Sequence, residues 1–283
     1  MNPSDHTFKD GKLILLQKRS CAETLFHVFN QEFHKDLELE EHASGALSSK
    51  IINDEYRNSL LWGTALAVGS EAYHQGSRVD ESIYLAIKTC KEIVDSFNNT
   101  LSTSGYSGFS NSEFSNTSST LNYFLHGESL KCYKLADNWA PKALKIAKSK
   151  LSDNHIIRNT PCSSCATRVV REMGGDENDA IMVAGFAGGL GLSGHTCGAF
   201  VASVWYDALR WLRENPQEKY YPIKLSKDKI QNFLKLTEGQ YLCPELSGKT
   251  FKTIEEHSDF ILEGGCNKLL SILANLPKHG KTS

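Results

Sequence analysis

Residues 185–214 read GFAGGLGLSGHTCGAFVASVWYDALRWLRE, a glycine-rich segment that runs into a helical pattern. Apolar residues recur at helical spacing from Cys197 to Arg213, which predicts an amphipathic helix there. Glycine permits backbone conformations and close approaches that other residues do not. Ahead of that helix we therefore expect a helix and a tight glycine turn. The turn would let two helices approach closely and would aim Cys197 and its backbone N–H toward a site.

The same helical spacing recurs along the whole chain and predicts an all-α protein. The segments with this spacing are 13–33, 80–97, 129–151, 197–213, 227–236 and 265–276. One strand-like run, residues 220–225, contains a proline. The repeated alternation of strands and helices that marks a parallel sheet is absent.

Four cysteines lie in the second half: Cys165, Cys197, Cys243 and Cys266. Two of them are followed by alanine or Gly-Ala, and one is preceded by Gly-Gly. Four thiolates suit tetrahedral iron or zinc. Their spacings of 32, 46 and 23 residues differ from structural zinc sites, which usually pair ligands two to four residues apart. Zinc is therefore disfavoured, although the spacing does not exclude it. The alternative is four buried cysteines that act as small hydrophobic residues.

These residues resemble the C-GCAxxG-C-C family of redox-active proteins, whose domain has four characteristic cysteines and a CGAxxG motif. The motif reads CGAFVA at residues 197–202, so alanine replaces its last glycine. The resemblance covers roughly residues 160–276 and implies an iron–sulfur cluster, [2Fe–2S] or [4Fe–4S], on Cys165, Cys197, Cys243 and Cys266. A related domain occurs in split-Soret cytochromes beside covalent haem. Haem attachment needs Cys-x-x-Cys-His, and residues 162–166 read CSSCA, so we expect no haem.

Two classes of function follow, and the sequence leaves both open. In the first, the cluster passes single electrons to or from an unidentified redox partner. In the second, an enzyme acts on a small substrate, either at an open position of the cluster or through a reactive thiol such as Cys162. His195, two residues before Cys197, is a second catalytic candidate, since histidine pairs with thiolates, ligates metals and relays protons. A structural metal site is the remaining alternative.

The two halves of the chain align with each other, which predicts a tandem duplication with pseudo-twofold symmetry. LWGTALAVG at residues 61–69 matches VAGFAGGLG at residues 183–191, and Ser-Cys-Ala at 20–22 matches Ser-Cys-Ala at 164–166. We expect one helical repeat over residues 1–151 and a second over residues 152–283. The second repeat carries the intact four-cysteine site.

The first repeat has kept only half of the cysteine quartet. Cys21 and Cys132 remain, but Gln75 and Tyr106 stand where the other two cysteines would be. Residues 98–120 are rich in serine, asparagine, threonine and glycine, which is typical of a flexible loop. The alternative is a plain linker between two domains. We expect this degenerate repeat to hold no cluster.

Composition disfavours several partners. The net charge of -2 and a pI near 6.6 argue against nucleic acid, which is bound by strongly basic surfaces. No run of 18 apolar residues is present, so we expect no membrane span. The amino terminus lacks a signal-peptide pattern, which predicts a cytoplasmic protein. Eight cysteines in a chain of 283 residues are not a disulfide scaffold in a reducing compartment.

Two further patterns carry weaker expectations. GLGLSG at residues 189–194 fits the dinucleotide fingerprint, but no strand pattern surrounds it, so we expect no nucleotide. The apolar group of Trp205, Tyr206, Trp211 and Leu212 suggests a homodimer interface, unless these residues belong to the core.

Overall fold

The computed structural model describes residues 18, 20–47, 56–103, 128–152 and 160–276, which form an all-α protein as the sequence predicts. Their twelve α-helices are α1 (Cys21–Glu32), α2 (Glu38–Ser44), α3 (Tyr56–Gln75), α4 (Val79–Thr103), α5 (Glu128–Leu151), α6 (Cys165–Glu172), α7 (Glu177–Met182), α8 (Gly198–Glu214), α9 (Ile223–Leu236), α10 (Cys243–Ser247), α11 (Ile254–Leu262) and α12 (Asn267–Asn275). Two 3₁₀ turns cover Gly45–Leu47 and Ala184–Phe186. Within the described ranges there is no strand, and one antiparallel backbone bridge joins Thr196 to Leu242.

The glycine-rich segment ahead of α8 is a chain of turns. Helix α7 ends at Met182, and the 3₁₀ turn of Ala184–Phe186 follows it. Glycines 188, 189, 191 and 194 have positive φ, and so do Leu190 and Leu192. Left-handed backbone in four glycines costs little, because they have no Cβ. The expected helix and tight turn are therefore a short helix followed by a longer left-handed segment.

The predicted loop at 98–120 is wrong at its beginning. Helix α4 continues to Thr103, so residues 98–103 are helical. Thr100 is buried, and its Oγ1 donates a hydrogen bond to the carbonyl of Ser96 at 3.0 Å. Leu101 packs against the core from a half-buried position. These contacts stabilise the helical conformation of residues 98–103 despite their polar composition. Residues 104–120 lie outside the described residues.

Small residues let the two halves of the chain pack closely on one core. Helix α3 of the first half packs against α7 of the second. A Cβ on Gly69 of α3 would overlap the carbonyl of Met182, and a Cβ on Gly185 would overlap the sulfur of Cys90 in α4. Glycine at these positions brings backbone against backbone, which a larger residue would prevent. The dense packing of the core thus runs across the boundary between the two proposed repeats.

The tandem duplication stays a prediction. At one place the two halves do agree: Ser20 caps α1, which begins at Cys21, and Ser164 caps α6, which begins at Cys165. The aligned stretches 61–69 and 183–191 differ, because the first lies in helix α3 and the second lies in turns.

The apolar group proposed for a homodimer interface is mostly core. Trp205 and Leu212 are fully buried and Tyr206 is nearly so, since α8 packs against α2 and α6. Trp211 is half-buried and meets the ring of Tyr221 edge-on at 5.7 Å. Because it is mostly buried within the chain, this apolar face is not available as a dimer interface. The homodimer itself stays a prediction. Separately, no helix in the described residues is long and apolar enough to cross a bilayer.

We predict that Gly69→Ala lowers the free energy of unfolding by about 1–3 kcal/mol, the usual cost of overpacking a core. The new methyl group would meet the backbone of Met182, which cannot move aside as a flexible side chain would. Chemical denaturation followed by circular dichroism measures the change.

Gly45→Ala is the matched control. Gly45 has φ −56°, and a Cβ there would meet only Glu23 Oε2 at 3.9 Å. Alanine should leave stability unchanged or raise it by up to about 1 kcal/mol. Equal losses in both variants would contradict the close approach of α3 to α7.

Candidate functional site

The four predicted cysteines line one cavity. Cys165, Cys197, Cys243 and Cys266 come from four different places in the fold, the starts of α6, α8, α10 and α12. The rest of the lining is Gly198, Ala199, Leu246, Ser247, Phe251, His257, Phe260, Ile261 and Leu269. The cavity is small, at about 20 Å³, which is room for about one water molecule. Four thiols far apart in sequence are thus brought to one largely apolar space.

Cys165 is held by the start of α6. Ser164 caps the helix: its Oγ accepts from the N–H of Ala166 at 3.3 Å and donates to the carbonyl of Ala184 at 3.1 Å. The second bond ties the cap to the 3₁₀ turn. From the turn beyond it, the backbone N–H of Gly188 donates to the Cys165 sulfur. The glycine-rich segment therefore contributes a hydrogen-bond donor to the site.

Two backbone hydrogen bonds fix Cys197 relative to Cys243. The N–H of Cys197 donates to the carbonyl of Tyr241 at 2.8 Å, and the N–H of Cys243 donates to the carbonyl of His195 at 2.9 Å. They flank the antiparallel bridge between Thr196 and Leu242. The two cysteines lie 46 positions apart in the chain, and the bridge holds their backbones side by side.

The sulfur of Cys197 lies at the start of α8. The backbone N–H groups of Ala199 and Phe200 donate to it, as N–H groups of a first helical turn have no partner within the helix. Gly198 allows this geometry, because a Cβ there would overlap the carbonyl of Phe186. The motif residues therefore provide both the thiol and its hydrogen-bond donors.

The other two cysteines differ in their surroundings. The Ser247 hydroxyl, one turn further along α10, donates to the Cys243 carbonyl at 2.8 Å and also lies beside the Cys243 thiol. Cys266 is half-buried and adopts the left-handed conformation, with φ 59°, immediately before α12. A non-glycine residue seldom adopts this conformation. Cys266 is the most accessible of the four thiols.

Burial raises the pKa of every thiol in the cavity. It raises the pKa of Cys197 to about 12 and that of Cys243 to about 11, and it raises those of Cys165 and Cys266 as well. No lysine or arginine lines the described cavity to offset the cost of a thiolate. The four groups are therefore neutral thiols near pH 7. A positively charged centre would reverse this, since metal coordination deprotonates a thiol.

His257 also lines the cavity, and the sequence analysis missed it. Its ring is 1% exposed, and one ring nitrogen bonds the carbonyl of Ser163. The other nitrogen, Nδ1, is buried without a hydrogen-bond partner. Burial lowers the pKa of His257 to about 4, so the ring is neutral near pH 7. A signal was present: Ile254, His257, Ser258 and Ile261 recur at helical spacing and form the buried face of α11.

The two predicted catalytic candidates are not among the cavity's lining residues. Cys162 is buried, and its backbone N–H donates to Asp80 Oδ1 at 2.8 Å. The α6 helix begins three residues after it, at Cys165. His195 is half-buried and contributes its carbonyl to the bridge beside Cys243. As placed here, His195 positions a cysteine through its backbone.

The structure describes the two cysteines of the proposed first repeat in less detail. Cys21 opens α1 from a half-buried position. Cys132 lies on α5, where the structure describes the backbone and not its side chain. Their expected proximity stays a prediction. Gln75 ends α3 and donates to Glu71 Oε1 at 2.7 Å. The position of Tyr106 lies outside the described residues.

Residues 189–194 lack the setting of a dinucleotide fingerprint. The fingerprint turn follows a strand and opens a helix, whereas this segment follows the 3₁₀ turn of Ala184–Phe186. The positive-φ glycines serve the cysteine site instead. Gly189 lies against the backbone of His195 and the Cβ of Cys243, so a side chain at 189 would push the bridge away.

Four cysteine thiols and one histidine are the metal-binding residue types that line the cavity. Among the described residues, no three histidine, cysteine, aspartate or glutamate side chains are arranged to hold one ion. Four thiols surrounding a shared space instead match the donors of [2Fe–2S] and [4Fe–4S] clusters. The small volume means that the thiols would have to separate to admit a cluster.

We predict that Cys197 and Cys243 in protein prepared without metal alkylate slowly at pH 8. Their raised pKa values leave little thiolate at that pH, and the thiolate is the reactive form. The rate should rise as the pH approaches 11 to 12, and mass spectrometry of iodoacetamide-treated protein resolves it by residue. Unfolded chain is the control, since its thiols have a pKa of about 8.5. Native and unfolded rates that coincide at pH 8 would contradict the buried, neutral thiols.

Comparison with known families gives one match. Residues 160–277 match the model of the family described as "Putative redox-active protein (C_GCAxxG_C_C)". The matched region contains all four cavity cysteines, the CGAFVA motif at 197–202 and His257. Searches of curated proteins and of solved structures found no match.

Proposed function

We propose that the chain is an electron-transfer protein whose cysteine cavity binds an iron–sulfur cluster, since residues 160–277 match the model of a redox-active family. The observation that carries the proposal is the convergence of Cys165, Cys197, Cys243 and Cys266 on one cavity. When bound, the cluster would supply a centre that gains and loses one electron at a time. The electron would come from, or go to, an unidentified one-electron redox partner.

The residues around the cavity support cluster binding. Backbone N–H groups of Gly188, Ala199 and Phe200 already donate to sulfur. Hydrogen bonds to the sulfurs of a cluster help to set its reduction potential. Phe251 and Phe260 line the cavity beside the cysteines, and an apolar shell limits the access of water to a metal site. The chain's own contribution is thus donors, hydrogen bonds and a dry environment.

The same features disfavour a nucleophilic thiol. A reactive cysteine has a lowered pKa and an electropositive neighbourhood, whereas burial raises the pKa of all four cavity thiols. These observations favour the electron carrier over an enzyme acting on a small substrate.

We predict that protein purified without oxygen is brown and contains iron and acid-labile sulfide. Cys165→Ser and Cys197→Ser should each reduce bound iron several-fold, because a serine hydroxyl is a harder donor than a thiolate and a poorer match to iron–sulfur centres. Colorimetric analysis of iron and sulfide per chain measures the effect.

Cys90→Ala is the matched control for those variants. Cys90 is also a buried thiol, but it lies on α4 and outside the cavity lining. This variant should keep the iron of the unaltered protein. A folded protein that contains no iron under these conditions, or equal iron loss in all three variants, would contradict the proposed cluster.

We also predict that replacing both Cys21 and Cys132 by serine leaves the iron content unchanged. Gln75 and Tyr106 stand at the aligned positions of the other two ligands, so the first repeat lacks a complete thiolate set. The same iron analysis applies. If iron falls by half, the first repeat is a second cluster site.

A further inference from the structure

We infer that His257 is an iron ligand of this cavity through Nδ1 and that Cys266 is the thiol it replaces. The inference rests on the proposed function, since it concerns the same cluster. It assigns a nitrogen donor that the four-cysteine motif does not contain. The cavity then offers five donors, whereas a closed cluster of either kind is held by four.

The first support is the state of Nδ1. The His257 ring is almost completely buried, and Nδ1 has no hydrogen-bond partner. An unsatisfied buried polar group is destabilising, and nearly all such groups in folded proteins have a hydrogen-bond partner or a ligand. The other ring nitrogen donates to the Ser163 carbonyl. In the neutral ring Nδ1 therefore carries a lone pair, which can accept a proton or bind a metal.

The second support is the way the ring is held. The Ser163 carbonyl fixes one ring nitrogen, and the ring of Phe251 meets the imidazole edge-on at 5.0 Å. Metal-ligating histidines commonly donate their other N–H to a carbonyl, which orients the ring. Ser163 is itself tied to α11, because its N–H donates to Ser258 Oγ at 3.0 Å. The orientation of His257 is therefore fixed by the fold before any metal binds.

A buried water is a weaker explanation for Nδ1. The cavity has room for about one water. A buried water typically makes about three hydrogen bonds, yet most of the lining is apolar and includes Phe251, Phe260 and Ile261. The other polar groups of the lining are the thiols, which are weak hydrogen-bond groups, and the Ser247 hydroxyl, which already donates to the Cys243 carbonyl at 2.8 Å. Bound iron would provide a partner for Nδ1 and for the thiols together.

Cys266 differs from the other three cysteines in ways that make it the spare donor. The sulfurs of Cys165 and Cys197 accept hydrogen bonds from backbone N–H groups, and the Ser247 hydroxyl lies beside the thiol of Cys243. For Cys266, burial alone accounts for the raised pKa, with no such bond. It is also half-exposed and has a left-handed backbone. The thiolate of Cys266 would therefore receive the least hydrogen-bond stabilisation of the four.

The test is pulsed electron paramagnetic resonance of the anaerobically purified, reduced protein. We expect the strong nitrogen hyperfine coupling of a directly bound imidazole. Growth with ¹⁵N-histidine should change that coupling by the ratio of the two nuclear gyromagnetic ratios, a result that needs no variant. His257→Ala should abolish it, while His195→Ala, which changes a histidine outside the cavity lining, should retain it.

Iron analysis of three variants tests the role of Cys266. Cys266→Ser should keep both iron and the nitrogen coupling. His257→Ala should keep iron, because Cys266 then binds. The double variant should lose iron several-fold. A cluster without histidine coupling in the unaltered protein, or loss of iron in Cys266→Ser alone, overturns the inference and leaves the cluster in place. Absence of iron and sulfide from the unaltered protein overturns the proposed function itself.

Discussion

The short backbone bridge between residues 195–197 and 241–243 is the constraint on which the site depends. Its two hydrogen bonds, from Cys197 to Tyr241 and from Cys243 to His195, join segments that are far apart in the chain. The glycine-rich turn packs directly against this bridge, because Gly189 lies against the backbone of His195 and leaves no room for a side chain. The bridge thus connects the six left-handed residues of the glycine-rich segment with the juxtaposition of Cys197 and Cys243.

The second constraint is electrostatic. The fold buries four thiols without a lysine or arginine in the described cavity lining, and burial raises all their pKa values. Such thiols are poor nucleophiles and good candidates for a metal that brings its own positive charge. The cost of deprotonation would be met when iron binds, so cluster binding and thiol ionisation should occur together. The architecture serves metal chemistry better than covalent catalysis.

Sequence patterns predicted the positions of the helices and the four members of the cysteine group. Both can be recognised from residues that are close together in the chain or from pairs of similar segments. Helical spacing predicted α4, α5, α8 and α9, and glycine or alanine neighbours marked Cys165, Cys197 and Cys266. The start of α9 was missed at residues 220–225, since Pro222 suits a helix N-cap as well as an interrupted strand. Residues 98–103 were missed because tertiary packing on Leu101 outweighs their polar composition.

The identity of the cavity residues depends on contacts that no spacing rule specifies. His257 sits on an ordinary amphipathic helix, and the packing of α11 beside Cys165, Cys197 and Cys243 places it in the cavity lining. Conversely, His195 is next to the motif in sequence, yet its backbone is what acts on the site. Nearness in sequence was therefore a poor guide to which histidine faces the thiols.

An anomalous difference map, recorded at the iron absorption edge from crystals grown without oxygen, tests the central claim most directly. The account predicts one iron peak per chain, enclosed by Cys165, Cys197 and Cys243 and bordered by Phe251 and Phe260. Iron bound elsewhere, or an ordered chain with no iron peak and a disulfide between cavity cysteines, would contradict it.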